Sequence, residues 1–122
     1  MEGLPDEALA QVAAYFQALS EPTRLQILNL LRQREHSVGD LAQRCGFSAA
    51  NISRHLTLLT QHGLVQRTSR GNSAIYSIAD PSVYALCDLV CGSIARKFDR
   101  LAAERAAFLP ASQAAPAGPA NG

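Results

Sequence analysis

Apolar residues recur at helical spacing through most of this chain, interrupted at a few sharp punctuation points. Leu9, Val12, Ala13, Phe16 and Leu19 share one face of a helix predicted from about Asp6 to Ala18. Ser20 is placed to cap a second helix, with Pro22 in its first turn, where a missing N–H costs nothing. Leu25, Ile27, Leu28, Leu30 and Leu31 make that helix apolar over much of its circumference, which predicts a central place in the core. Ser37 opens a short third helix. Asp40 follows three residues on, as in a capping box, Val38, Leu41 and Cys45 share a face, and Gly46 ends the helix. Ser48 caps a fourth helix that runs to about His62 and stops at Gly63, with Ile52, Leu56 and Leu59 inward. Two helices joined through Gly46-Phe47 predict helix-turn-helix geometry.

Beyond Gly63 the helical period gives way to strand signals. Leu64–Thr68, a turn at Ser69-Arg70-Gly71-Asn72, and Ser73–Ile78 predict a β-hairpin with a basic tip. Asp80-Pro81 opens a last helix that reaches about Phe108. Its apolar stripe is Val83, Leu86, Val90, Ile94, Phe98 and Leu101. That stripe is long for one small domain to cover, so it either joins a second copy or packs on the first helix. Residues 110–122 are rich in Ala, Pro and Gly and predict a disordered tail. The expected fold is therefore one domain over 1–109, mainly α with a β-hairpin wing (α+β): a winged helix-turn-helix with five helices.

Composition narrows the function classes. The chain has 122 residues, 48% of them hydrophobic, a globular content for one domain. No apolar run is long enough to span a membrane, and the acidic start lacks the pattern of a signal peptide. Three cysteines, an odd number, argue against a disulfide framework. A cytoplasmic location is the expectation, with no membrane partner. The net charge of +1 hides a segregation: residues 41–79 carry Arg44, Arg54, Arg67 and Arg70 and no acid. Such a stretch suggests a surface that meets polyanion.

The fourth helix begins Ser48-Ala49-Ala50-Asn51, small and polar residues that let a helix N-terminus approach DNA closely. Ser48 and Ser53 are phosphate donors, and the free N–H groups of a helix start favour phosphate oxygens. Asn51 and Arg54 suit base edges. Arg67, Arg70 and Asn72 on the wing would hold the backbone or probe the minor groove. The DNA-contacting set is thus Ser48, Ala49, Asn51, Ser53, Arg54, Arg67, Arg70 and Asn72. His55 and His62 read as local packing and a helix-end cation.

The run Ala18-Leu19-Ser20-Glu21-Pro22-Thr23-Arg24-Leu25-Gln26-Ile27-Leu28, then Ser53-Arg54-His55-Leu56-Thr57-Leu58-Leu59, Gly63-Leu64-Val65, and Arg70-Gly71-Asn72 before Tyr76-Ser77-Ile78, resembles the ArsR/SmtB family of small bacterial metal-sensing repressors. Order and spacing match over residues 8–95. The resemblance implies a homodimer joined through its first and last helices and a palindromic double-stranded operator.

The family's sensor sites transfer only in part. One such site puts cysteines early in the third helix, but here that stretch is Ser37-Val38-Gly39-Asp40-Leu41. Another uses an Asp and His pair early in the last helix with a His and a Glu further on. Asp80 matches, while Ser82, Ser93 and Arg96 occupy the other positions. The chain instead carries Cys87 and Cys91 on the last helix, spaced i, i+4 and so on one face. Two thiolates so placed can chelate one soft ion, yet they are too far apart for an unstrained disulfide. Cys45 or the partner subunit is the candidate source of a third ligand. By the resemblance, trivalent arsenic or antimony is the expected inducer, and packing of the cysteines in the core is the bland alternative.

The expected function is a transcriptional repressor that releases its operator when a metalloid engages Cys87 and Cys91. The alternative is the same repressor sensing thiol oxidation or reactive sulfur through those cysteines. A thiol enzyme is disfavoured, because the pair lies mid-helix with no His near it in sequence. A winged helix used only for protein contacts is disfavoured by Asn51 and Arg54 in an acid-free segment.

Overall fold

The computed structural model describes residues 1–110; the low-complexity segment beyond Pro110 lies outside the described residues. Five helices and three strands follow in order: α1 (Asp6–Ala18), α2 (Pro22–Gln33), β1 (His36–Ser37), α3 (Val38–Cys45), α4 (Ala49–Gln61), β2 (Val65–Arg70), β3 (Ser73–Ile78) and α5 (Ser82–Ala106). Two compact units result, divided between Pro81 and Ser82.

In the first unit α2, α3 and α4 pack on one another and on the sheet. Ile27, Leu41, Ile52, Leu56 and Leu59 are fully buried, so α2, α3 and α4 each contribute at predicted inward positions, with Leu64 beside them. The face expected of α1 is not closed, since Leu9 is 39% and Phe16 48% exposed and Ala18 is the buried residue of that helix. Leu25 does not join them. It sits two residues before Ile27, on the opposite face of α2, and is 41% exposed. The apolar circumference expected for α2 is thus a stripe of Thr23, Ile27, Leu28 and Leu31.

Caps set the helix boundaries. Ser37 accepts from the Asp40 N–H, and Ser48 from the Asn51 N–H, each at 3.1 Å. Gly46 takes φ 74°, a left-handed conformation that glycine adopts without a Cβ penalty, and so turns the chain from α3 into α4. The start of α2 corrects the sequence reading. Ser20 donates to the Gln17 carbonyl at 2.8 Å and closes α1 instead. Glu21 is the N-cap, and its carboxylate accepts the Arg24 N–H at 3.1 Å.

The hairpin is tighter than expected. Strand pairing runs out to Arg70 opposite Ser73, leaving Gly71-Asn72 as a two-residue turn with Gly71 at φ 59°. Ser69 and Arg70 therefore belong to β2 rather than to the loop. The sheet also has a third strand that the sequence did not announce. β1 pairs antiparallel with β3, His36 opposite Tyr76 and Ser37 opposite Ile75, giving the order β1-β3-β2.

The second unit holds α5, a helix of 25 residues and so about 38 Å long. It begins at Ser82, one residue after the position that Pro81 suggested. Val83 and Tyr84 are buried. From Leu89 onward the apolar stripe is open: Val90 and Ile94 are each 49% exposed and Phe98 64%. No helix among the described residues is long and apolar enough to cross a membrane.

Candidate nucleic-acid interface

α4 presents two opposed faces. Ile52, Leu56 and Leu59 fix one face in the core, which turns Ala50, Arg54 and Thr57 outward to solvent. Ser48 and Ala49 at the helix start are exposed, and Ser53 is half-buried. Because Ser48 Oγ takes the Asn51 N–H and its carbonyl takes the Ile52 N–H, the N–H groups of Ala49 and Ala50 remain at the helix end for an outside acceptor. Asn51 is less open than its sequence position suggested. Its side chain is half-buried, and its carboxamide oxygen is buried without a hydrogen-bond partner among the described residues.

A second cluster holds α4 in place. The Arg24 guanidinium donates from Nε to the Ala18 carbonyl at 2.6 Å and from Nη2 to the Gln17 carbonyl at 3.1 Å. Its Nη1 lies 3.2 Å from His55 Nδ1 on α4. The other ring nitrogen, Nε2, lies 3.9 Å from the Glu21 carboxylate. One side chain thus caps the carbonyl end of α1 and ties it to α4. Partial burial raises the Glu21 carboxyl, but the Arg24 N–H, the nearby His55 and the Thr23 N–H and hydroxyl outweigh it and hold it below its ordinary value. His62, the C-cap residue of α4, meets the Tyr15 ring edge-on at 6.4 Å. His55 thus packs locally, and His62 stands at the end of α4 against an aromatic ring.

On the wing Arg67, Arg70 and Asn72 are all exposed. Arg67 donates to Ser69 Oγ at 3.2 Å. Arg70 is bound bidentately by Glu35: Nη1 meets Oε1, and Nη2 donates to Oε2 at 3.1 Å. Arg44 is likewise engaged, donating to Asp40 at 3.1 Å, while Asp40 also accepts from buried His36. These contacts hold the Asp40 carboxyl below its ordinary value, chiefly through the His36 hydrogen bond. The segment that is acid-free along the chain is therefore not acid-free in space. Glu35 and Asp40 reach it from upstream, and Arg54 and Arg67 are its two arginines without an acid partner among the described residues. No local sequence signal marks Glu35 for this role, because it reaches the sheet only through β1.

The cysteines divide between the two units. Cys45 on α3 is half-buried, and burial pushes its thiol up, away from the thiolate form. Cys87 and Cys91 lie on α5, half-buried and exposed respectively, beside the open apolar stripe. Among the described residues no group of three or more His, Cys, Asp or Glu side chains could hold a metal ion.

A helix-turn-helix whose second helix shows a polar face, followed by a β-hairpin, defines a winged helix-turn-helix. Solved structures share this fold. Rv0081 from Mycobacterium tuberculosis superposes with a TM-score of 0.73 at 34% identity, covering 80% of this chain and 99% of that one. The homodimeric winged helix-turn-helix DNA-binding domain of Mb0332 from Mycobacterium bovis gives 0.69 at 34% identity, covering 82% and 95%. By sequence, the transcriptional regulator NmtR of Mycobacterium tuberculosis is 41% identical over 85 residues, 70% of this chain and 71% of that protein. Rv0081 is 37% identical over 99 residues, 80% and 82%. Residues 21–67 match the family described as bacterial regulatory protein, arsR family. The chain belongs to the ArsR family of transcriptional regulators, a family of regulators rather than enzymes.

Proposed function

We propose that this chain is a homodimeric repressor that binds a palindromic operator through α4 and the wing and releases it when Cys87 and Cys91 engage trivalent arsenic or antimony. The observation that carries the DNA reading is the exposed face of Ala50, Arg54 and Thr57 on a helix fixed by three fully buried residues, within an ArsR-family fold. Ser48, Ala49 and Ser53 would meet phosphate, and Arg54 a base edge. Asn51 reaches a base only by rotating outward; its carboxamide oxygen gives up no hydrogen bond to the described residues when it does so. Arg67 and Asn72 would meet the backbone from the wing. Such a role belongs in the cytoplasm.

The homodimeric state of Mb0332 supports a dimer here, and the open stripe of Val90, Ile94 and Phe98 on α5 is the apolar surface a second copy would cover. Cys87 and Cys91 flank that stripe one turn apart, so thiolates gathered there would pull on the dimer contact. The described residues do not complete a three-ligand set. The third thiolate would come from the partner subunit rather than from Cys45, whose burial disfavours the thiolate. A ligand acts only through different affinity for two arrangements, and a 100-fold release corresponds to roughly 2.7 kcal/mol of coupling.

The test is release of bound DNA by arsenite, followed by fluorescence anisotropy, for the wild type, Cys87→Ser and Cys91→Ser. Serine keeps the size and removes the soft ligand. The reading requires both variants to bind DNA normally and to ignore arsenite. Release by arsenite in both serine variants would make these cysteines packing residues. A wild type that ignores arsenite but lets go on mild oxidation or with a sulfide donor would replace metalloid sensing by thiol redox sensing.

A further inference from the structure

We propose that Glu35 competes with DNA phosphate for the Arg70 guanidinium and so limits how tightly the wing engages DNA. The inference rests on the DNA-binding reading above. Its observation is the bidentate pair, in which both terminal nitrogens of Arg70 are committed to the two carboxylate oxygens of Glu35. A phosphate is gripped through the same planar fork of N–H groups, so one guanidinium edge cannot hold both anions at once.

Three features make Glu35 a competitor rather than a passing surface partner. It directly precedes β1, whose pairing with β3 fixes the backbone next to it. The glutamate is therefore delivered to the sheet by a strand, not by a loose tail. Its target is the last residue of β2, beside the Gly71-Asn72 turn that forms the wing tip. And the pair is open to solvent, with side-chain exposures of 59% for Arg70 and 41% for Glu35, so the arginine lies where a phosphate would reach it were the acid not holding it. Arg67 on the same strand donates to a serine hydroxyl and, among the described residues, has no carboxylate partner.

A solvent-exposed ion pair is weak, and its removal is expected to change affinity by about two- to five-fold. The salt dependence is the sharper readout, because each phosphate contact adds about 0.9 to the slope of log affinity against log salt. The experiment measures anisotropy of a labelled mixed-sequence 30-base-pair duplex over a range of salt, for the wild type, Glu35→Gln, Arg70→Ala and the double variant. Both side chains are exposed, and circular dichroism checks that every variant is folded. Glu35→Gln is expected to bind about two- to five-fold tighter with a slope steeper by about one, while Glu35→Gln in the Arg70→Ala background leaves the slope unchanged. Weaker binding by Glu35→Gln would mean that the glutamate holds Arg70 in place for DNA, and the proposal fails. An unchanged slope, or the same steepening without Arg70, also overturns it. A wild type with no affinity for any duplex would instead sink the DNA-binding reading itself.

Discussion

Replacing Arg24 by methionine should destabilise the first unit out of proportion to its position near the surface. The guanidinium makes three contacts: with the Ala18 carbonyl, the Gln17 carbonyl and His55 Nδ1. Hydrogen bonds from a charged group are worth about 1.5–3 kcal/mol each when well sheltered, and this one is only part-buried. The freed α1 carbonyls also regain water. A net loss of about 2 kcal/mol is therefore expected for Arg24→Met, read from urea unfolding at one fixed protein concentration. Arg24→Lys should lose about half of that, because one ammonium cannot span the three acceptors that the planar fork reaches. His55→Ala in the same background should be non-additive, with a coupling of roughly 0.5–3 kcal/mol between partners in contact. If Arg24→Met and Arg24→Lys both fall within about 0.5 kcal/mol of the wild type, the cluster does not organise α4 and the reasoning is wrong.

Other outcomes follow from the same geometry. Leu56→Ala, at a fully buried position in α4, should cost about 2–5 kcal/mol and weaken DNA binding through loss of the fold; a loss below about 1 kcal/mol would mean the core collapses around the gap. Asp40 has its carboxyl held low in the folded state, so its contribution is present above the ordinary aspartate range and is lost as pH falls through the folded-state value. Asp40→Asn should therefore flatten the acid limb of the urea midpoint against pH, and an unchanged acid limb would show that the His36 and Arg44 contacts carry no linkage. Phe98→Glu, at a side chain already 64% exposed in the chain, should leave the helix content intact and shift light-scattering mass from dimer to monomer; a dimer that survives the charge places the contact elsewhere.

The helices were legible because each has a strong local signature. Ser37, Ser48, Gly46 and Gly63 punctuate an apolar period that only a helix can use, and the structure places Ile52, Leu56 and Leu59 inward as that period requires. What was hidden is what the chain brings together from afar. β1 is two residues long, too short for alternation to register, yet it delivers Glu35 to Arg70. Ser20 looked like the better N-cap by residue type, but its hydroxyl was already spent on closing α1, and Pro22 left Glu21 to cap α2. Leu25 satisfied an apolar count while lying on the wrong face of α2. For the candidate interface, exposure of Ser48 and Arg54 could be read from residue type and spacing. The burial of the Asn51 oxygen and the pairing of Arg70 could not, since both depend on neighbours distant in sequence or on the side-chain path.

The most direct measurement is an anisotropy titration of the purified protein with two labelled duplexes at physiological salt. One spans the region upstream of the chain's own gene, and the other has the same length and composition in scrambled order. An operator-reading winged helix should prefer the first by about 10³-fold or more. Arg54→Ala should weaken that preferred complex by roughly 1–3 kcal/mol while leaving the scrambled duplex nearly unchanged. Equal affinity for the two duplexes, or a preference that survives Arg54→Ala undiminished, would contradict sequence readout by α4.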